Sequence, residues 1–197
     1  MTAYSHGRCY AGKLADCSGS ISREHYFSHA ILRAIGGGGP VLTKGLAWQK
    51  PGAQQFIPTQ GLASNVLCTA HNSRLTPLDE EASRLFQFLQ HFHRADRTSV
   101  PASAELTVNG LLIERWMLKS ICGFVASKTS PTRYPARVRL QKPSDWWVDM
   151  LFGESPIPIP FGLHFWGGTP GAASTRHDRH TSGACSPPPS EHCPQRR

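Results

Sequence analysis

The stretch "SREHYFSH", residues 22–29, sets Glu24 directly before His25 and puts His29 four positions further on. A carboxylate beside an imidazole is the pairing of an acid–base or metal centre, and equally of a surface ion pair. Neither HExxH nor HxxEH surrounds it, so the two-histidine zinc-hydrolase arrangement is absent and His29 reads as scaffold. A second group of donors lies in "VLCTAHNSRL", where Cys68 and His71 have the two-residue gap of a zinc knuckle. Cys9 and Cys17, upstream of "SREH", would complete one tetrahedral site of three thiolates and one imidazole. The competing reading makes Cys9 and Cys17 ordinary buried thiols, because seven intervening residues are a loose gap for a knuckle.

These groups need elements to hold them, and the 197-residue chain, 39% hydrophobic, is long enough for one domain with a core and an appendage. Residues 1–75 are rich in Gly, Cys and His without clean periodicity, as expected of a loop-rich segment stapled by metal. "GGGGP", residues 36–40, lacks the Gly-Lys-Ser/Thr of a P-loop and reads as a flexible connection. From Thr76 the pattern turns helical: Leu78, Ala82, Leu85, Phe86, Leu89 and Phe92 recur at three- and four-residue spacing. Thr76 reads as the cap, Pro77 as the first helical position and Asp79 as the closing residue of a capping box. "ASAELTV" alternates like a strand, and "NGLLIERWMLKSICGFVAS" reads as a core helix apolar on more than one face, with Cys122 in the core. "DWWVDMLFG" and "IPIPFGLHFW" read as aromatic, β-like segments, the prolines confining the latter to an edge. After Gly168 almost nothing could be buried, and residues 168–197, with Cys185 and Cys193, read as a disordered tail.

The charge balance selects the partner. A net charge of +8 and a pI near 9.5 favour a polyanion, with nucleic acid foremost. Lys128, Arg133, Arg137, Arg139 and Lys142 form a run without an acidic residue, a candidate phosphate-contacting stripe. No apolar run approaches the roughly 20 residues that cross a bilayer, and "MTAYSHGRCYAGK" lacks the apolar centre of a secretory signal. The expected location is therefore the cytoplasm, away from membranes, where cysteines point to metal rather than to disulfides.

An acid–His pair behind a first cysteine pair, then a Gly-rich loop, then "LCTAHNSRLTPLD" running into a helix, resembles the HNH endonuclease family with its ββα-metal fold. The likeness covers roughly residues 9–90 and departs from the family in the wide first cysteine gap, in His71 where cysteine is commoner, and in the missing last histidine. It implies metal-dependent hydrolysis of DNA phosphodiester bonds, with a structural Zn2+ on Cys9, Cys17, Cys68 and His71. It further implies that Glu24 is a ligand to a catalytic Mg2+ or Mn2+ and that His25 is the general base. Asn72 would pin the segment carrying the base, and Asp79 would stand at the last position, as a second ligand of the catalytic ion. Adjacent residues of a strand face opposite ways, so Glu24 and His25 can serve one site only where the strand bends or ends. Asn72 as a turn cap and Asp79 as part of the capping box are the competing readings.

The expected fold is α+β: an HNH-like, zinc-stapled unit over residues 1–96, a helical and β-containing extension with the basic stripe over 97–167, and the tail. Two other functions fit the same residues: a zinc-stapled nucleic-acid-binding module that does not cut, and a truncated, inactive copy. Retention of Glu24, His25, Asn72 and Asp79 together favours the enzyme, and the missing histidine favours the binder.

Overall fold

"ISREH" and "ASNVLC" are far apart in the chain but pair as antiparallel strands in the computed structural model, which describes residues 4–94, 105–128, 142–159 and 162. β1 (Ile21–His25) lies against β4 (Ala63–Cys68), with Ile21 opposite Cys68 and His25 opposite Ala63. The register slips between Ser22 and Arg23, where Val66 of β4 is the unmatched residue. β1 stops at His25 and the chain bends over Tyr26 and Phe27 before α1 (His29–Ile35). The strand thus ends at the Glu24–His25 pair.

The connection between the paired strands holds a small hairpin, β2 (Val41–Lys44) with β3 (Gln54–Ile57), and a 3-10 turn at Thr59–Leu62. "GGGGP" makes the turn out of α1, where Gly37 and Gly38 take φ of 59° and 86°, values that favour glycine. Two-stranded ladders are marginal alone. This one is steadied by a cluster of Tyr26, Leu32, Val41, Leu46, Ile57 and Leu62, with Phe124 packed against it.

α2 (Thr69–Arg74) follows β4 directly, and α3 (Thr76–Arg94) follows after Leu75. The expected helix is present, with Leu78 and Ala82 buried, although Leu89 is exposed. The capping-box role of Asp79 is not what the structure shows. Its carboxylate accepts from Ser28 and Lys119 instead of closing on the helix start.

α4 (Gly110–Ala126) is the expected core helix, begun by Asn109, whose side chain accepts from the backbone N–H of Leu111 and Leu112. Residues 105–108, the described part of the segment expected to alternate as a strand, form no strand. "DWWVDMLFG" is likewise helical: α5 (Asp145–Phe152) replaces the β-like segment expected there. Ser144 caps it, Asp145 favours the positive N-terminal end, and Gly153 closes it at φ 89°. Those end signals outweigh the β propensity of its tryptophans. Val148, Met150 and Leu151 are its buried face. Among the described residues no helix is long and apolar enough to cross a membrane.

The described part of the chain is mixed α and β, five helices with two small antiparallel sheets. Helices α4 and α5, expected in a separate extension, pack on the N-terminal half. Cys122, Val148 and Leu151 share one cluster with Cys9, Cys17, Leu67, Cys68 and Leu75. The expected tail and "FGLHFW" lie outside the described residues, Gly162 apart.

Candidate functional site

Cys68 is the cap of α2 and His71 lies in its first turn, so the two-residue gap brings both side chains to the helix start. The wide gap between Cys9 and Cys17 is closed by backbone geometry. The chain turns through a 3-10 segment, Gly12–Leu14, and Ala15 takes a left-handed φ of 57°. Tyr4 ties the far side of the turn by donating to Ala15 O and accepting from Cys17 N, at 2.9 and 3.0 Å. Tyr10 N donates to Val66 O at 3.0 Å, docking the loop on β4.

The result is one buried group. The four donor atoms of Cys9, Cys17, Cys68 and His71 lie within 4.8 Å of one another. The Nδ1 atom of His71 is 3.0 Å from Cys68 Sγ, 3.4 Å from Cys9 Sγ and 3.7 Å from Cys17 Sγ. Ligands on a tetrahedral zinc at about 2.3 Å stand about 3.8 Å apart, so the group fits that ion. Burial raises the Cys68 thiol, but backbone donors from His71 and Ser18, together with hydrogen bonds to the Cys17 and Cys9 side chains, outweigh it and leave the thiol below its ordinary value. The Cys9 thiol goes the other way, pushed up to about 12 by burial. A cation is what would let both exist as thiolates.

The other imidazole nitrogen, His71 Nε2, is 2.7 Å from Asp16 Oδ1, and Arg74 donates to Asp16 Oδ2 at 2.9 Å. A carboxylate behind the distal nitrogen holds the proton there and leaves Nδ1 free toward the thiols. Phe152 of α5 packs edge-on against the His71 ring, 5.1 Å between centroids. Neither Asp16 nor Phe152 stood out in the sequence, although "ADC" places the acid next to a ligand.

The second group lies at the end of β1. A small cavity of about 220 Å³ is lined by Arg23, Glu24, His25, His29, Asn72 and Asp79, among others. Asn72 Nδ2 donates to Ser22 Oγ at 3.1 Å and to Arg23 O at 3.4 Å, so its amide ties α2 to the backbone just ahead of Glu24. His25 stacks on His29, with centroids 4.8 Å apart and planes at 30°. Its Nε2 is buried and has no hydrogen-bond partner among the described residues. Burial, reinforced by the charges of His29, Lys119 and Arg23, holds His25 below its ordinary value, so the ring is a neutral acceptor near pH 7.

Glu24 and Asp79 converge, and what lies between them is Lys119. This lysine of α4 is 1% exposed, and its Nζ stands 2.6 Å from Glu24 Oε1 and 2.6 and 2.7 Å from the two Asp79 oxygens. Asp79 Oδ1 also accepts from Ser28 Oγ at 2.7 Å, and Ser28 Oγ accepts in turn from Trp116 Nε1 at 2.9 Å. The catalytic Mg2+ or Mn2+ that the HNH resemblance implies would need these carboxylates, and three of their four oxygens already face an ammonium. The pair as arranged does not fit a divalent ion. The sequence signal for Lys119 was a lone lysine inside an apolar helix, which must be paired if it is buried.

Of the basic stripe, Lys128 and Lys142 are exposed and line a cavity of about 880 Å³, together with Arg8 and Lys13. Lys13 is engaged by Asp149, 2.5 Å away. Arg133, Arg137 and Arg139 lie outside the described residues. No family model, curated protein or solved structure matches the chain, so the likeness to HNH nucleases rests on the residues themselves.

Proposed function

We propose that this chain is an HNH-type endonuclease that hydrolyses phosphodiester bonds in DNA, with His25 as the general base. The observation that carries the reading is His25 itself. It has a ring nitrogen without a hydrogen-bond partner among the described residues, at the end of a strand whose Ser22 and Arg23 are tied by Asn72 to the helix that also bears His71. In the proposed reaction His25 takes a proton from water. The water oxygen bonds to phosphorus as the bond to the leaving oxygen breaks, and solvent protonates the leaving oxygen. Zn2+ on Cys9, Cys17, Cys68 and His71 is structural: it would fix β4 and α2, and through Asn72 the end of β1. Arg8, Lys128 and Lys142 give DNA a sequence-independent footing on its phosphates.

A module that binds DNA without cutting it is the second reading, favoured by the ammonium between Glu24 and Asp79. Plasmid nicking by zinc-loaded protein separates the two. His25→Ala should lower nicking by about 100- to 10,000-fold, the usual worth of a general base, with zinc content and DNA affinity retained. DNA binding without nicking by the wild type, or a His25→Ala variant as active as wild type, hands the chain to the binding reading.

A further inference from the structure

Lys119 reaches the end of β1 from a helix nearly a hundred residues downstream, and the geometry around its Nζ is that of a cation site already filled. Three carboxylate oxygens from two elements lie within 2.7 Å of it, and the side chain is 1% exposed. A lysine in the core costs several kcal/mol of lost hydration unless carboxylates surround it, as they do here. The arrangement is braced on both sides: Ser28, itself buried, holds Asp79, and Trp116 of α4 holds Ser28. Trp116 and Lys119 are three apart on α4 and so share one face of that helix.

A Mg2+ or Mn2+ ion held by the same three oxygens would stand about 2.0 to 2.6 Å from them, in the space Nζ takes. Two cations cannot share it. With both carboxylates ionised, the charges of these three groups sum to −1 (Glu24 −1, Asp79 −1, Lys119 +1), leaving little to draw a second cation past the first. The lysine also does not line the cavity beside His25; it lies behind Glu24 and Asp79.

We propose that Lys119 is the resident cation of the Glu24–Asp79 pair and keeps divalent ions out of it. Lys119 then acts as a positioning residue, fixing the carboxylate at the end of β1 beside His25 without an external ion. Among the described residues that line the cavity, Arg23 is the fixed cation, and there it can meet a phosphate. The occupancy stands without any nuclease activity. Its consequence, cleavage at His25 that needs no Mg2+ or Mn2+, rests on the function proposed above.

The test is a Mn2+ titration of the full-length, zinc-loaded protein, with free Mn2+ followed by electron paramagnetic resonance at about pH 8, where unpaired carboxylates are ionised. Wild type should hold no Mn2+ that Glu24→Gln removes. Lys119→Met, which keeps the stem but not the charge, should gain one Mn2+ per chain, and the Lys119→Met/Glu24→Gln double variant should lose it. Zinc content and far-ultraviolet circular dichroism establish that each variant folds. If Lys119→Met does not fold, Lys119→Gln takes its place, and the comparison of wild type with Glu24→Gln decides by itself. A Mn2+ site in wild type that Glu24→Gln abolishes overturns the proposal. So does a folded Lys119→Met protein that gains no site. In a parallel nicking assay, wild-type cleavage should proceed with zinc alone and not rise with added Mn2+. Cleavage that requires Mn2+ and is lost in Glu24→Gln overturns the proposal. The absence of cleavage in every condition disposes of the nuclease reading and leaves the Mn2+ titration to decide occupancy.

Discussion

Two buried clusters in this chain solve opposite halves of one electrostatic problem. Cys9, Cys17, Cys68 and His71 bring soft donors together and leave the charge to come from outside. Glu24 and Asp79 bring hard donors together and receive their charge from Lys119. The first cluster joins a loop to the start of α2, close in sequence on each side. The second joins a strand, a helix and a further helix, each from a different part of the chain. A cation held by short-range sequence spacing must be imported, whereas one built by the fold can be a side chain. The Cys/His cluster, which could hold a metal ion, is thus where an external ion should govern stability, and the Lys119 cluster is where it should not.

The largest effect should follow from breaking the first cluster. Cys68 is both a candidate metal ligand and the cap of α2, and its backbone N–H donates to Cys9 Sγ at 3.4 Å. Structural zinc supplies on the order of 10 kcal/mol or more to small folds that depend on it. Cys68→Ser should therefore lose its metal and its cooperative thermal transition together, as metal analysis and a melt would show. A chelator should do the same to wild type. Zinc-free protein that melts at the wild-type temperature would erase the contrast between the clusters.

The same contrast explains what was legible in the sequence. Cys68 and His71 announced themselves as a candidate ligand pair because a two-residue gap is a local pattern. So was α3, with its proline and periodic leucines, and α4, with its asparagine cap. The closing of the Cys9–Cys17 gap depended on Ala15 adopting a left-handed conformation, which residue identity does not announce. Asp79 looked like a capping residue because its partners, Ser28 and Lys119, are 51 and 40 residues away along the chain. α5 was mistaken for a strand because its tryptophans spoke louder than Ser144 and Gly153, the residues that begin and end it. Local chemistry was readable; long-range pairing of charges was not.

A smaller effect, on the order of a few kcal/mol, should appear in the pH dependence of the second cluster. Burial pushes the Glu24 carboxyl from its ordinary 4.5 up to about 7, against the pull of Lys119 and with the help of Asp79. A carboxyl whose value is raised on folding binds its proton more tightly in the folded state. Its contribution is therefore complete below 4.5 and is lost as pH rises through about 7. Denaturant melts of zinc-saturated wild type and Glu24→Gln from about pH 5 to about pH 8 should show the wild type losing stability relative to the variant as pH rises. Protonation of the zinc ligands acts equally on both proteins and cancels in the difference. A wild type that gains on the variant would mean that attraction to Lys119 outweighs burial.

The smallest effect sharpens the first cluster from its edge. Asp16 touches no thiol; it stands 2.7 Å behind His71 Nε2 and is more than half exposed, with a side-chain exposure of 53%. Its work is to hold one tautomer of one ligand, and its charge is partly screened by water. Asp16→Asn keeps the shape and the acceptor oxygen but removes the charge that favours a proton on Nε2. Zinc affinity, measured by competition with a chromophoric chelator, should fall by about 10- to 100-fold, while the metal-loaded protein keeps its fold. Arg74→Ala separates this from loss of the neighbouring ion pair. Arg74 donates to the other Asp16 oxygen and lies over the Phe152 ring at 4.9 Å, so its removal loosens packing without taking the carboxylate from His71. If Asp16→Asn and Arg74→Ala weaken zinc equally, the surface pair rather than the His71 tautomer is what Asp16 contributes. If Asp16→Asn alone weakens it, the zinc cluster reaches one residue beyond its four ligands, as the Lys119 cluster reaches Ser28 and Trp116 beyond its carboxylates.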